Sequence, residues 1–256
     1  MAQRMPVIVT KDATAAAARA ATVLANHIVA AQGARGRAVV AVSGGSTPWS
    51  MLRNLAGRAL PWSAVHVVQV DERVAPDGDP DRNLTHLREC LAHVAATIHA
   101  MRVGSGEPEA AAQAYEQELA ALYGRSAGPS GRAQPGGPDG DTTGRLVPVE
   151  MPVLDLVHLG LGEDGHTASL VPGDPVLLVR DHSVGVTEVY SGHRRVTLTY
   201  PVLAAARRVL WLATGEAKAE MVARLMAGDE SVPAGSVPAA RALLVADEAA
   251  AHLLRR

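Results

Sequence analysis

The chain has 256 residues, 48% of them hydrophobic, and a formal net charge of −2. That apolar content excludes wholesale disorder, and the length suffices for a buried α/β core. No basic stripe points to nucleic acid, no apolar run reaches the ~18 residues of a membrane span, and the single cysteine, Cys90, excludes an internal disulfide.

From the first residues onward, short β-rich runs alternate with helical patterns. The N-terminal stretch lacks the basic start, apolar block and small-residue cleavage site of a secretory signal, so a cytoplasmic protein is expected. Strands are expected at 6–9, 37–43, 65–71, 154–160, 182–189, 195–200, 207–213 and 241–246. Helices are expected at 12–32, 48–58, 82–95, 107–123, 216–227 and 247–254. This alternation predicts an α/β fold, doubly wound around a mainly parallel central sheet with helices on both faces, Rossmann-like, in one domain spanning 1–256. Several strands are apolar almost throughout, as befits a sheet covered on both faces. Residues 124–147 are rich in Gly, Pro and polar types and read as a disordered surface insertion, since neither flank is complete enough to fold alone.

In such sheets ligands gather outside the carboxyl ends of strands, and polar clusters follow apolar strands at four places. In Ser43-Gly44-Gly45-Ser46-Thr47-Pro48 the glycines allow a sharp turn that aims amides into a concavity, while Ser46 and Thr47 add hydroxyls. The pattern suits a phosphate cradle at a helix N-terminus, or equally an ordinary turn with an N-cap serine. No Gly-Lys-Ser/Thr follows, so it is not a P-loop. Next, Asp71-Glu72-Arg73 ends a strand. Arg73 is suited to bidentate phosphate binding with Asp71 or Glu72 holding its guanidinium, although a solvated ion cluster fits the same residues.

The third cluster, Leu159 to Leu170, sets three glycines around His166. Its imidazole, with an ordinary pKa of roughly 6.5, is the group there suited to proton transfer at neutral pH, and Asp164 is placed to fix its tautomer. Gly160, Gly162 and Gly165 also satisfy G-x-G-x-x-G, but Pro172-Gly173 leaves no room for the long helix a dinucleotide site needs. The fourth cluster is Thr214-Gly215-Glu216-Ala217-Lys218. Of the 24 basic residues only Lys11 and Lys218 are lysine. A cation in the first turn of a helix opposes the macrodipole, a penalty that bound phosphate would remove; an exposed lysine is the plainer reading. No G-x-S-x-G elbow, H-E-x-x-H or paired-cysteine spacing supports a serine esterase or a dedicated metal site.

Taken in order, VSGGSTP (42–48), VDERVAPDGDPDRN (70–83), LGLGEDGHTASLVPG (159–173), RRVTLTYPVL (194–203) and TGEAK (214–218) resemble the 6-phosphogluconolactonases, within the wider family that includes glucosamine-6-phosphate isomerases (deaminases). The resemblance implies a parallel-sheet α/β fold. The activity it implies is hydrolysis of 6-phospho-D-glucono-1,5-lactone to 6-phosphogluconate in the oxidative pentose phosphate pathway, with no redox cofactor and no required metal. It puts the catalytic histidine at His166, the phosphate loop on Gly44, Gly45, Ser46 and Thr47, and basic substrate contacts on Arg73, Arg195 and Lys218. The expected partner is a small sugar phosphate, with neither nucleic acid nor membrane; monomer and homodimer are both compatible with the sequence. Backbone amides of the Gly160–Gly165 turn are the candidate oxyanion donors. Val171 departs from the pattern, standing where an aromatic is usual. Isomerising deamination of an aminosugar phosphate is the nearest rival activity, and a non-catalytic sugar-phosphate sensor is a rival of another class.

Overall fold

A computed structural model describes residues 5–104, 106–123 and 151–255. The Gly/Pro-rich stretch 124–147 lies outside the described residues. Among the described residues, no helix is long and apolar enough to cross a membrane.

Seven strands form one parallel sheet in the order β1-β10-β9-β6-β2-β3-β5. They are β1 (Val7–Thr10), β2 (Ala38–Val42), β3 (Val65–Gln69), β5 (Thr97–His99), β6 (Leu156–Leu159), β9 (Val209–Ala213) and β10 (Ala242–Asp247). Pleating explains why the central strands are apolar on both sides. Along β2, Val39 and Ala41 enter one core layer, whereas Ala38, Val40 and Val42 enter the other. The second layer is covered by α1 (Ala13–Arg35), α2 (Ser46–Ala56) and α3 (Asn83–Cys90). The first is covered by α4 (Pro108–Leu122), α5 (Tyr200–Ala205) and α6 (Ala219–Ala227). The doubly wound α/β expectation is therefore met.

The expected strand 65–71 is in fact broken at Val70. Its N–H donates to Val42 O in the large sheet at 3.1 Å, while its carbonyl accepts from Leu198 N at 2.8 Å. Beyond this point the chain enters a second, antiparallel sheet ordered β4-β8-β7, made of β4 (Asp71–Arg73), β7 (Val184–Val186) and β8 (Arg195–Leu198). The runs expected as strands 182–189 and 195–200 thus pair with each other, and the second also with β4, rather than with the parallel sheet, and both are shorter. The second run ends early because α5 begins at Tyr200, with Thr199 at its capping position and Pro201 in its first turn. The three-residue edge strand β5 is too short to show a period. The expected C-terminal helix 247–254 reduces to turns and a 3-10 segment, His252–Arg255.

Beneath the carboxyl edge of the sheet, His158 on β6 is fully buried, and its Nδ1 accepts from Ser43 N at 3.3 Å. Burial drives the imidazole from 6.5 down to about 3. The folded value lies below the unfolded one, so within that window the unfolded chain takes up a proton that the folded chain refuses, and stability falls as acid is added. Lowering the pH from 7 to 5 should cost about 2 kcal/mol through this residue, visible as a lower urea midpoint. His158→Gln should flatten that slope; equal slopes in both proteins would contradict the account.

Candidate active site

A cavity of about 300 Å³ opens where the carboxyl edge of the parallel sheet meets the antiparallel one. Gly44, Gly45, Ser46, Thr47, Arg73, His166, Arg195 and Lys218 all line it. Asp164 stands behind His166 and does not line the cavity itself. The four clusters expected from sequence therefore converge on one space.

The Ser43–Thr47 turn forms one wall. Its helix starts at Ser46, two residues before the expected position, and the capping position is Gly45, at φ 129° and without a side-chain cap. The N-cap serine alternative is thereby overturned, and the amides of the first turn remain available to a ligand. Thr47 Oγ1 lies 2.8 Å from Thr214 Oγ1, tying this wall to the turn after β9. Gly44 is required by close approach, since a Cβ there would lie 2.0 Å from Asn83 Oδ1.

The cationic wall comes from β4 and β8, whose register sets Arg73 directly opposite Arg195. Like charges facing each other across strands are unfavourable unless an anion joins them. Arg195 is buried, and its Nε has no hydrogen-bond partner among the described residues. Burial pulls its guanidinium below the ordinary value, an effect that Asp71 partly offsets and Arg73 adds to. Contrary to expectation, neither Asp71 nor Glu72 holds the Arg73 guanidinium. Arg73 Nη1 donates to Asn83 Oδ1 at 2.8 Å and to Asp81 O at 3.1 Å. Asp71 instead accepts from Ser169 Oγ at 2.7 Å, and Glu72 turns into the core. Lys218 lies in a 3-10 turn (Glu216–Lys218) ahead of α6, its Nζ 3.5 Å from Glu163 Oε1.

His166 sits on the loop after β6. Its Nδ1 lies 2.6 Å from Asp164 Oδ1, and its backbone N–H donates to the same oxygen at 3.1 Å. A carboxylate only accepts, so Nδ1 carries the proton and Nε2 keeps a free lone pair. Burial alone would raise the Asp164 carboxyl, but hydrogen bonds and charge from His166, with the Tyr190 hydroxyl, bring it below its ordinary value. Gly162 is the second glycine demanded by contact, because a Cβ would fall 2.1 Å from His166 Nδ1. The amides of Gly162 and Gly165 are committed to His166 O and Gly162 O at 2.8 and 3.2 Å, which removes both from the candidate oxyanion donors. The segment after this loop forms turns and a 3-10 helix (Pro175–Leu178) with no α-helix, so the dinucleotide alternative lacks its helix.

The sequence pattern does not single out two residues at the site. Asn83 anchors Arg73, and Tyr190 donates to Asp164 Oδ2 at 3.0 Å. A signal for Tyr190 was present in the Ser191-Gly192 pair, a turn dipeptide that closes the hairpin carrying it.

A family model described as glucosamine-6-phosphate isomerases/6-phosphogluconolactonase matches residues 11–248. The chain belongs to this family. Among its relatives, a 6-phosphogluconolactonase of Synechocystis sp. is 34% identical, with 89% of this chain and 86% of the relative aligned. One of Streptomyces coelicolor is also 34% identical, with 100% and 97% aligned. The solved 6-phosphogluconolactonase of Trypanosoma brucei superimposes with a TM-score of 0.80 at 26% identity, covering 98% of this chain and 100% of that one.

Proposed function

We propose that this chain is a 6-phosphogluconolactonase, hydrolysing 6-phospho-D-glucono-1,5-lactone to 6-phosphogluconate in the oxidative pentose phosphate pathway, with His166 as general base. One observation carries the reading: the cavity that faces Arg73 against buried Arg195 is also lined by His166, whose tautomer Asp164 sets. The arginine pair, Lys218 and the amides and hydroxyls of Gly44 to Thr47 grip the phosphate, which parks the lactone carbonyl beside the imidazole. Nε2 of His166 takes a proton from water as the water oxygen attacks the carbonyl carbon. The tetrahedral oxyanion collapses, the bond from that carbon to the ring oxygen breaks, and the ring oxygen receives the proton from the imidazolium. The carboxylic acid formed then loses its own proton to solvent. A positioned base contributes roughly 10²–10⁴-fold, and fixing the substrate adds to that.

The test is lactone hydrolysis above the spontaneous rate, read by coupled oxidation of the 6-phosphogluconate formed. No acceleration, together with ammonia release from glucosamine 6-phosphate, would replace this reading with the deaminase one. Arg73→Ala and Lys218→Ala should each raise KM roughly tenfold with kcat less affected, because each removes a charge-assisted phosphate contact. Unchanged KM in both would dismiss the phosphate assignment.

A further inference from the structure

We propose that Tyr190 is a positioning residue for the His166–Asp164 pair, its phenol holding the carboxylate so that the imidazole keeps one tautomer and one orientation. The inference rests on the lactonase reading of the cavity and deepens it.

Four observations converge on this side chain. The Tyr190 hydroxyl donates to Asp164 Oδ2 at 3.0 Å, while Oδ1 receives both His166 contacts, so each carboxylate oxygen has its own donor. At 3.5 Å from His166 Nδ1, the hydroxyl does not displace Asp164 as the imidazole's partner. The phenol ring meets the imidazole edge-on, with centroids 5.5 Å apart and planes at 66°. Its centroid also lies 5.0 Å from the Arg195 guanidinium carbon, so one ring touches both the anion-binding wall and the proton-transfer pair.

The mount is rigid. Tyr190 and His193 exchange backbone hydrogen bonds at 2.9 and 3.3 Å around Ser191 and Gly192, both with positive φ, 49° and 85°. Two positive φ values at the centre of a two-residue turn match the twist of the flanking strands. Ser191 holds that backbone without being glycine, a strain characteristic of functional loops. On the far side of the turn, His193 Nε2 lies 3.2 Å from Asp81 Oδ2, which pins the hairpin to the loop after β4. Burial, then the hydrogen bond to Asp164 and its charge, push the Tyr190 phenol above its ordinary value, so it remains a donor.

Removing the hydroxyl frees Asp164 Oδ2 and lets the imidazole swing. Tyr190→Phe keeps the ring and should lower kcat about tenfold with KM unchanged. In an Asp164→Asn background the same substitution should add nothing, because Tyr190 acts through that carboxylate. Undiminished kcat overturns the proposal. So does a matching rise in KM, or an equal further loss in the Asp164→Asn background, since Tyr190 would then act on substrate or on the fold. A substrate-free measurement separates this inference from the lactonase reading: the ¹⁵N chemical shifts of the His166 ring, which report which nitrogen carries the proton. Tyr190→Phe should move them from those of a single Nδ1–H tautomer toward a mixture of the two, and unmoved shifts overturn the proposal whatever the substrate proves to be.

Discussion

Replacing His166 by alanine is expected to lower kcat at least ~100-fold while KM stays within a factor of about two. The reason lies in the chemistry of the cavity wall. Besides His166, its ionisable side chains are Asp71, Arg73, Arg195 and Lys218. Three of these are cations and cannot accept a proton from water. The fourth, Asp71, is buried and occupied by Ser169 Oγ at 2.7 Å and Asn83 Nδ2 at 3.4 Å. The imidazole is thus the acceptor with a free lone pair on the cavity wall, and Asp164, which stands behind it, does not line the cavity to replace it. The proposed phosphate contacts are untouched by the change, which is why affinity should survive. Steady-state kinetics against freshly prepared lactone, corrected for spontaneous opening, measures both constants. Turnover near that of the unaltered protein would end the assignment of His166 as base.

The largest effect on stability should come from Glu72→Ala, which ought to cost about 3–5 kcal/mol. Glu72 is 0% exposed and Arg82 1%, and Arg82 Nε lies 3.1 Å from Glu72 Oε2. Among the described residues Nε makes no directed hydrogen bond, so this contact is ionic rather than a shared proton. The rest of the carboxylate is fully engaged. It accepts from Gln69 Nε2, Arg73 N, Asn83 N and Leu84 N at 2.8–2.9 Å, and the last two are the opening amides of α3. Alanine would leave the buried Arg82 guanidinium with the exposed Asp77 carboxylate, 2.9 Å from Nη1, as its remaining counter-charge, uncap that helix and leave buried donors unmet at once. For a chain of this size a loss of that order corresponds to a fall in Tm of roughly 10 °C. Thermal and urea unfolding of the variant provide the measurement, and a loss under about 1 kcal/mol would show that solvent reaches Arg82.

How much of this was legible in the sequence differs from element to element. The parallel sheet was, because apolar runs such as 37–43 and 207–213 carry their own signal and Gly-rich turns mark their ends. The converging clusters were legible for the same reason: each follows a strand whose carboxyl end faces a common edge. The split at Val70 was not. Residues 65–73 contain no Gly or Pro to mark a break, and only the pairing of β4 with β8 reveals the switch. The partners of Arg73 were hidden by the same event. The acids adjacent to it in sequence point elsewhere, while Asn83, ten residues on, reaches it through the fold of the intervening loop. Tyr190 was obscured in turn, because its contact with Asp164 depends on where a hairpin tip lands.

The seam at Val70 carries a consequence for how function is lost. Residues of the candidate site stand on both sides of it, with the imidazole loop hung from the large sheet and the arginine pair on the small one. A partial opening that detaches the three-stranded layer would dismantle the candidate site while the larger scaffold kept its strands paired. Mild denaturant should therefore silence the protein before bulk spectroscopic signals register any change.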